Sequence, residues 1–341
     1  MQKIGFDTQK YLKAASSSVL HRITNFDRFY LEVGGKLSYD SHASRVLPGY
    51  QKDTKIKLIK SLGKVNVIYC ISAKDIENQR IIHDYNLKCL DHALYELSKL
   101  KKLGIAVNYV IITRFQNEPS ALKSKELFEA RGIPVLFHKE IKGYPSNFKS
   151  TLKGISNQPY VKLKEKLVII TGLASGSGKM SVALVQLYND WKKGINSGYA
   201  KIETFPIWNL PLKHPINLAY EAATADLKDK LLIDPFYYSA YKKKAVTYNR
   251  DLENFLFLKK LSNLFPKKFL SYNSPTEMGV GLTKEGIINE KFCKEASKKE
   301  IIQRYFQYKK DYEAGKEKIG TLKRMKQILK KAGVTFPSAN V

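Results

Sequence analysis

The run GLASGSGKMS over residues 172–181 is where residue types and spacing most directly suggest chemistry. Glycines let backbone N–H groups turn toward an anion. A following helix adds the partial positive charge of its N-terminus, and Lys179 adds a full one. Gly176, Ser177, Gly178 and Lys179 are the expected floor of a phosphate site, with Ser181 beside them. The run is phosphate-loop-like but not a Walker A sequence. That pattern needs glycine at 173, where Leu173 stands, and a magnesium-binding hydroxyl at 180, where Met180 stands. Ser181 is one step further on, rotated by about 100° round the helix. Ser177 is the substitute hydroxyl, and Asp234 after an apolar LLI run is the candidate carboxylate for magnesium. The alternative is a tight strand-to-helix turn whose glycines permit close packing.

Two further groups carry titratable side chains. Asp40, His42 and Arg45 share one short stretch that could hold an acidic group or move a proton. The alternative there is a loop tied by an Asp–Arg pair. Lys213, His214, Asn217 and Glu221 lie at the start of a helix after Pro211. Asn217 and Glu221, four apart, share a face. This group could contact a second phosphate or form an ordinary first turn. If the protein is an enzyme, phosphoryl or nucleotidyl chemistry is expected, with Lys179 stabilising charge and His42 or His214 moving protons. Ligand contacts would come from Gly176, Ser177, Gly178, Lys179, Ser181, Arg45, Lys213 and Asn217. No protein-bound metal is expected; magnesium would accompany a nucleotide. His21 and His138 read as structural.

Positioning these groups requires a frame. Arg28–Val33, Val65–Ile71, Ile105–Thr113, Ile133–His138, Leu167–Thr171 and Tyr199–Phe205 are strand-length apolar runs. Helical stretches to about Ile23, at Asp53–Leu62, Asn86–Leu103 and Ala121–Ala130, and after Lys179, alternate with them. This alternation predicts an α/β fold with a mainly parallel sheet covered on both faces. Residues 141–164 read as loop. Beyond about 235 the pattern turns helical, near 250–264, 290–315 and 320–332, so the expected division is 1–235 and 236–341. In such a sheet the loops at the carboxyl ends meet, bringing the three groups together.

The 341 residues hold 59 Lys and Arg against 31 Asp and Glu, a net charge of +28. With 43% hydrophobic residues, a disordered basic tail is excluded. Only nine of the cations are Arg, and they are spread along the chain. A Lys-rich solvated surface fits this better than a nucleic-acid reader, which favours the flat Arg fork. Cys70, Cys89 and Cys293 are odd in number and far apart, as in a reduced protein. The N-terminus lacks an apolar signal core and no run spans a membrane, so a cytoplasmic protein is expected. In the C-terminal helix, Leu322, Met325, Ile328 and Leu329 form a stripe that suits a partner domain or a second copy, the alternative being a helix that simply docks its apolar face. Nothing matches a peptidase: there is no H-E-x-x-H and no Ser or Cys nucleophile constellation.

Several motifs occur together: KIGFDTQKYL, DSHASRVLPG, CISAKDIE, KGYPSN, SGSGKM, FPIWNLPLKHPINLAYEAATADL, IDPF, YNRDLE and SPTEMGV. In this order, over about residues 1–310, they resemble the bacterial domain of unknown function 1846 family, also called uncharacterised protein family 0371. The resemblance implies a cytoplasmic bacterial protein with an N-terminal α/β region and a helical segment. It brings no established activity. It also implies relatives with a further α/β domain after the helices, and a Pro/Gly-rich run where this chain has Leu173-Ala174-Ser175. A binding remnant, a fragment or one part of a split protein is the matching expectation. The expected function is binding of a nucleotide or other phosphate-bearing ligand. The alternative is a non-catalytic interaction protein that holds nucleic acid or a protein partner through its Lys-rich surface.

Overall fold

The computed structural model describes residues 4–82, 87–173, 176–227, 229–265 and 272–334. From the N-terminus the chain runs α1 (Thr8–Ile23), β1 (Arg28–Val33), α2 (Ser41–Val46), α3 (Thr54–Ser61), β2 (Val65–Ser72) and α4 (Ala73–Glu77). A two-residue pair follows, β3 (Ile81–Ile82) and β4 (Leu87–Lys88). Next come α5 (Cys89–Lys102), β5 (Tyr109–Phe115), α6 (Pro119–Glu129), β6 (Val135–Lys139) and α7 (Phe148–Ser156). The middle holds β7 (Leu167–Gly172), α8 (Lys179–Lys192), β8 (Ser197–Ile202) and α9 (Pro215–Ala223). The remainder is β9 (Leu231–Ile233), α10 (Pro235–Tyr241), β10 (Val246–Tyr248), α11 (Asn249–Ser262), α12 (Pro275–Met278), α13 (Glu290–Glu313) and α14 (Ile319–Lys331).

Six strands form one sheet in the order β6-β5-β2-β7-β1-β8, and every pairing in it is parallel. The predicted α/β class is therefore observed. Parallel strands need covered faces, and alternating residues feed two layers. Phe29, Leu31, Val67 and Ile169 face a core shared with α1, α3, α9, α13 and α14. Tyr30, Ile68, Val168 and Ile170 face the other, with α7, α8 and α11. β7 lies centrally, so Ile169 sits between Leu31 and Val67 with no exposed surface. Ile169→Ala is expected to lower stability by about 2–5 kcal/mol, read by urea denaturation.

Two stretches expected to be loops contain helices. Asp40 accepts from the Ala43 N–H at 3.0 Å and starts α2, which at six residues is too short to register an apolar period. Asn147 likewise caps α7 by accepting from Ser150 N–H at 3.1 Å, within the Lys- and Ser-rich 141–164 stretch. Residues beyond 235 share both cores with the α/β part: Phe255 and Leu258 in one, Ile301 and Met325 in the other. Packing therefore does not break at 235. The stripe of α14 docks within the chain. Leu322, Met325, Ile328 and Leu329 are all buried, against α9 and α13, so they present no free docking face. Asn86, Ala174 and Ser175, and the tail expected at 336–341, lie outside the described residues.

Candidate functional site

All six sheet strands run the same way, so their carboxyl ends share one edge. A cleft of about 590 Å³ opens there. It is lined by Glu32 of β1, Arg114 of β5, Lys139 of β6 and Lys201 of β8, together with Gly176, Gly178 and Lys179 after β7. Carboxyl ends of parallel strands are the usual place for a ligand in this architecture.

The glycine loop is shaped by specific approaches. Gly178 has φ +82°, and a Cβ there would stand 2.7 Å from Thr113 Oγ1. Thr113 in turn donates to the Ser177 carbonyl at 2.9 Å, laying the loop on β5. Gly176, at φ +85°, faces open space. Gly178 is the N-cap of α8, and no side chain caps that helix start. Lys179 begins the helix, is 7% exposed, and lines the cleft. The positive helix end and a lysine thus converge on one cavity.

Several residues expected at the site hold other positions. Ser177 is buried and its Oγ sits where a Cβ on Gly172 would meet it at 2.6 Å, so the hydroxyl lies against the end of β7 rather than lining the cleft. Ser181 lines the cleft, but its Oγ donates to the Gly178 carbonyl at 2.8 Å. Asp234 is fully buried, caps α10 and accepts from Thr276 Oγ1 at 2.6 Å. It is not the expected magnesium carboxylate at the glycine loop.

The group at the start of α9 is also displaced from the site. Lys213 is exposed and does not line the cleft. His214 accepts at Nδ1 from the Ile216 N–H and places Nε2 3.2 Å from Glu290. Asn217 accepts from the Ile207 N–H at 2.8 Å and donates to the Ile207 and Pro211 carbonyls. Glu221 pairs with Arg324 at 3.3 Å. The opposite end of α9, with Tyr220 and Thr224, is the one that lines the cleft. A helix start is legible in sequence; its direction relative to the sheet edge is not. Asn217→Ala is expected to cost about 1–3 kcal/mol by leaving buried backbone groups unpaired. Thermal-shift titration should show ligand binding unchanged in this variant.

The Asp40 group divides. Asp40 lines the cleft and is held by Lys55 at 2.7 Å. Against the burial that would raise it, Lys55 keeps the Asp40 carboxyl below its usual range. Arg45 does not line the cleft. It grips Glu300 through Nε at 2.6 Å and Nη2 at 2.9 Å. His42 does line the cleft, and its Nδ1 stands 3.1 Å from Glu300 Oε1. Arg304 adds a further contact to Glu300 at 2.9 Å. Burial opposes ionisation of Glu300, but hydrogen bonds from His42 and Arg45 hold its carboxyl well below the usual range. Burial lowers His42, with Arg304 adding to the effect. The hydrogen bond and charge of Glu300 oppose that lowering without reversing it. Its Nε2 is buried and has no hydrogen-bond partner.

A second charged cluster has no counterpart among the expected site residues. Lys201 pairs with Asp251 at 2.7 Å and Glu203 at 3.5 Å, and all three line the cleft. Burial, reinforced by Asp251 and Glu32 and opposed by Lys201, pushes Glu203 up to about 6. The signal available for Glu300 was its i,i+4 spacing to Arg304 on a predicted helix. Lys201 lies near the end of β8 and Glu203 just beyond it, at the same cleft as Lys179.

The model of the family described as "Domain of unknown function DUF1846, N-terminal" matches residues 4–333. A UPF0371 protein of Clostridium tetani (strain Massachusetts / E88) is 44% identical over 330 residues, 96% of this chain and 66% of that protein. A UPF0371 protein of Clostridium botulinum (strain Alaska E43 / Type E3) matches with the same identity and coverage. The chain thus spans just under two thirds of the length of these relatives. No helix among the described residues is long and apolar enough to cross a membrane.

Proposed function

The chain belongs to the DUF1846 family, and from that premise we propose that its cleft binds a nucleotide or other small phosphate-bearing ligand, with phosphoryl or nucleotidyl transfer as the reaction class. The observation that carries the reading is the start of α8. A 14-residue helix with no side-chain cap points its N-terminus into a strand-edge cleft, with Lys179 at its first position. Phosphate oxygens are the acceptors that such an arrangement of N–H groups and charge suits. Arg80, Arg114 and Lys139 line the same cavity, Arg80 paired with Asp75 at 3.3 Å and Arg114 with Glu140 at 3.5 Å. Its volume of about 590 Å³ lies within the range of small-ligand sites. A divalent ion would enter with the ligand's own phosphates.

The test is thermal unfolding with ATP, GTP and glucose 6-phosphate, with and without magnesium, each beside its unphosphorylated counterpart. A binding compound at about 100 times Kd should stabilise the protein by about 2.7 kcal/mol, and its counterpart should not. Unchanged unfolding across the whole panel would overturn the proposal.

A further inference from the structure

We propose that His42 is the proton acceptor of the cleft and Glu300 its positioning residue, the acceptor taking a proton from a hydroxyl that attacks the bound phosphate group. This rests on the phosphate reading above and assigns the proton's destination. Glu300 contacts Nδ1 of His42 at 3.1 Å and is itself clamped by Arg45 and Arg304. An ionised carboxylate only accepts hydrogen bonds. In the neutral form of His42 the ring proton therefore resides on Nδ1, and Nε2 carries a bare lone pair. That lone pair is buried with no partner, in a side chain that lines the cleft. A buried acceptor left unpaired is unfavourable, so a donor hydroxyl arriving there gains a partner the free protein does not supply.

The ring is also fixed in orientation. Phe205 packs edge-on at 5.3 Å between centroids and Tyr220 at 6.1 Å. The charged and titratable groups facing His42 are Glu300 and Arg304 from α13, Asp40 from the start of its own helix, and Tyr220 from α9. Burial disfavours the charged ring, with Arg304 adding to the effect, while Glu300 stabilises an imidazolium once formed. In the step, the hydroxyl oxygen of an alcohol or water forms a bond to phosphorus. The bridging P–O bond of a phosphoanhydride breaks, its electron pair leaving on the bridging oxygen. The hydroxyl proton rests on His42 Nε2.

The experiment is nitrogen NMR of the full chain labelled with ¹⁵N-histidine, the His42 signals being identified by their loss in His42→Gln. At pH 7 Nδ1 should be protonated and Nε2 bare, and ATP with magnesium should shift Nε2. A protonated Nε2 or a cationic ring in the free protein overturns the assignment. If ATP stabilises the protein but Nε2 does not respond, the base role fails and the phosphate reading stands. If no compound in the panel binds, both fail. Glu300→Gln keeps the shape and removes the charge, so a growing share of Nε2–H tautomer is expected. An unchanged tautomer ratio in that variant refutes the positioning role. Should Glu300→Gln not fold, the tautomer and ATP response of the unaltered protein decide the question.

Discussion

Lys179→Ala should weaken the binding of a phosphate-bearing ligand by about 10- to 100-fold. Hydrogen bonds to charged groups contribute about 1.5–3 kcal/mol, and each 1.4 kcal/mol is a factor of ten in Kd. At a ligand concentration of about 100 times the original Kd, a hundredfold loss brings ligand and Kd level. Stabilisation then falls from about 2.7 to about 0.4 kcal/mol. Lys179 begins α8 and lines the cleft, so its removal leaves the helix N-terminus as the remaining loop contribution. Calorimetric titration of the full chain gives the ratio directly. Equal Kd in the two proteins would place the phosphate elsewhere.

Glu300→Ala should be the most destabilising single change around the cleft. The Glu300 carboxylate is 1% exposed and receives Arg45, Arg304 and His42 together. Removing one member of a buried ion network leaves uncompensated charge and costs about 3–5 kcal/mol. The sign of the pH dependence follows from its lowered carboxyl. A carboxyl lower in the folded chain than in the unfolded one adds stability above the unfolded value of about 4.3, and loses it as pH falls below. Urea curves should therefore separate the two proteins most at pH 7 and bring them together below about pH 4. A constant difference across that range would mean that packing, not charge, explains the loss.

The frame was legible because its signals are local. Buried parallel strands such as VNVIYCI and LVIIT read as unbroken apolar runs, and the helices between them fix parallel crossovers. The glycine loop was legible for the same reason: strand, glycines and helix are contiguous in sequence. What escaped depends on partners far along the chain. His42 and Glu300 are 258 residues apart, and Lys201 meets Asp251 across 50. Arg45 looked like a ligand contact from spacing alone, yet its guanidinium binds Glu300. His214 and Asn217 carry suitable chemistry at the end of α9 away from the cleft. The apolar stripe of α14 could not reveal that α9 and α13 already cover it.

The most direct measurement is a crystal of the full chain soaked with whichever panel compound stabilises it most. The phosphate group is predicted over Gly176–Lys179, with oxygens about 2.7–3.2 Å from the backbone N–H groups of that loop and from Lys179 Nζ. Density for the phosphate at another part of the molecule, with the loop bare, would contradict the account.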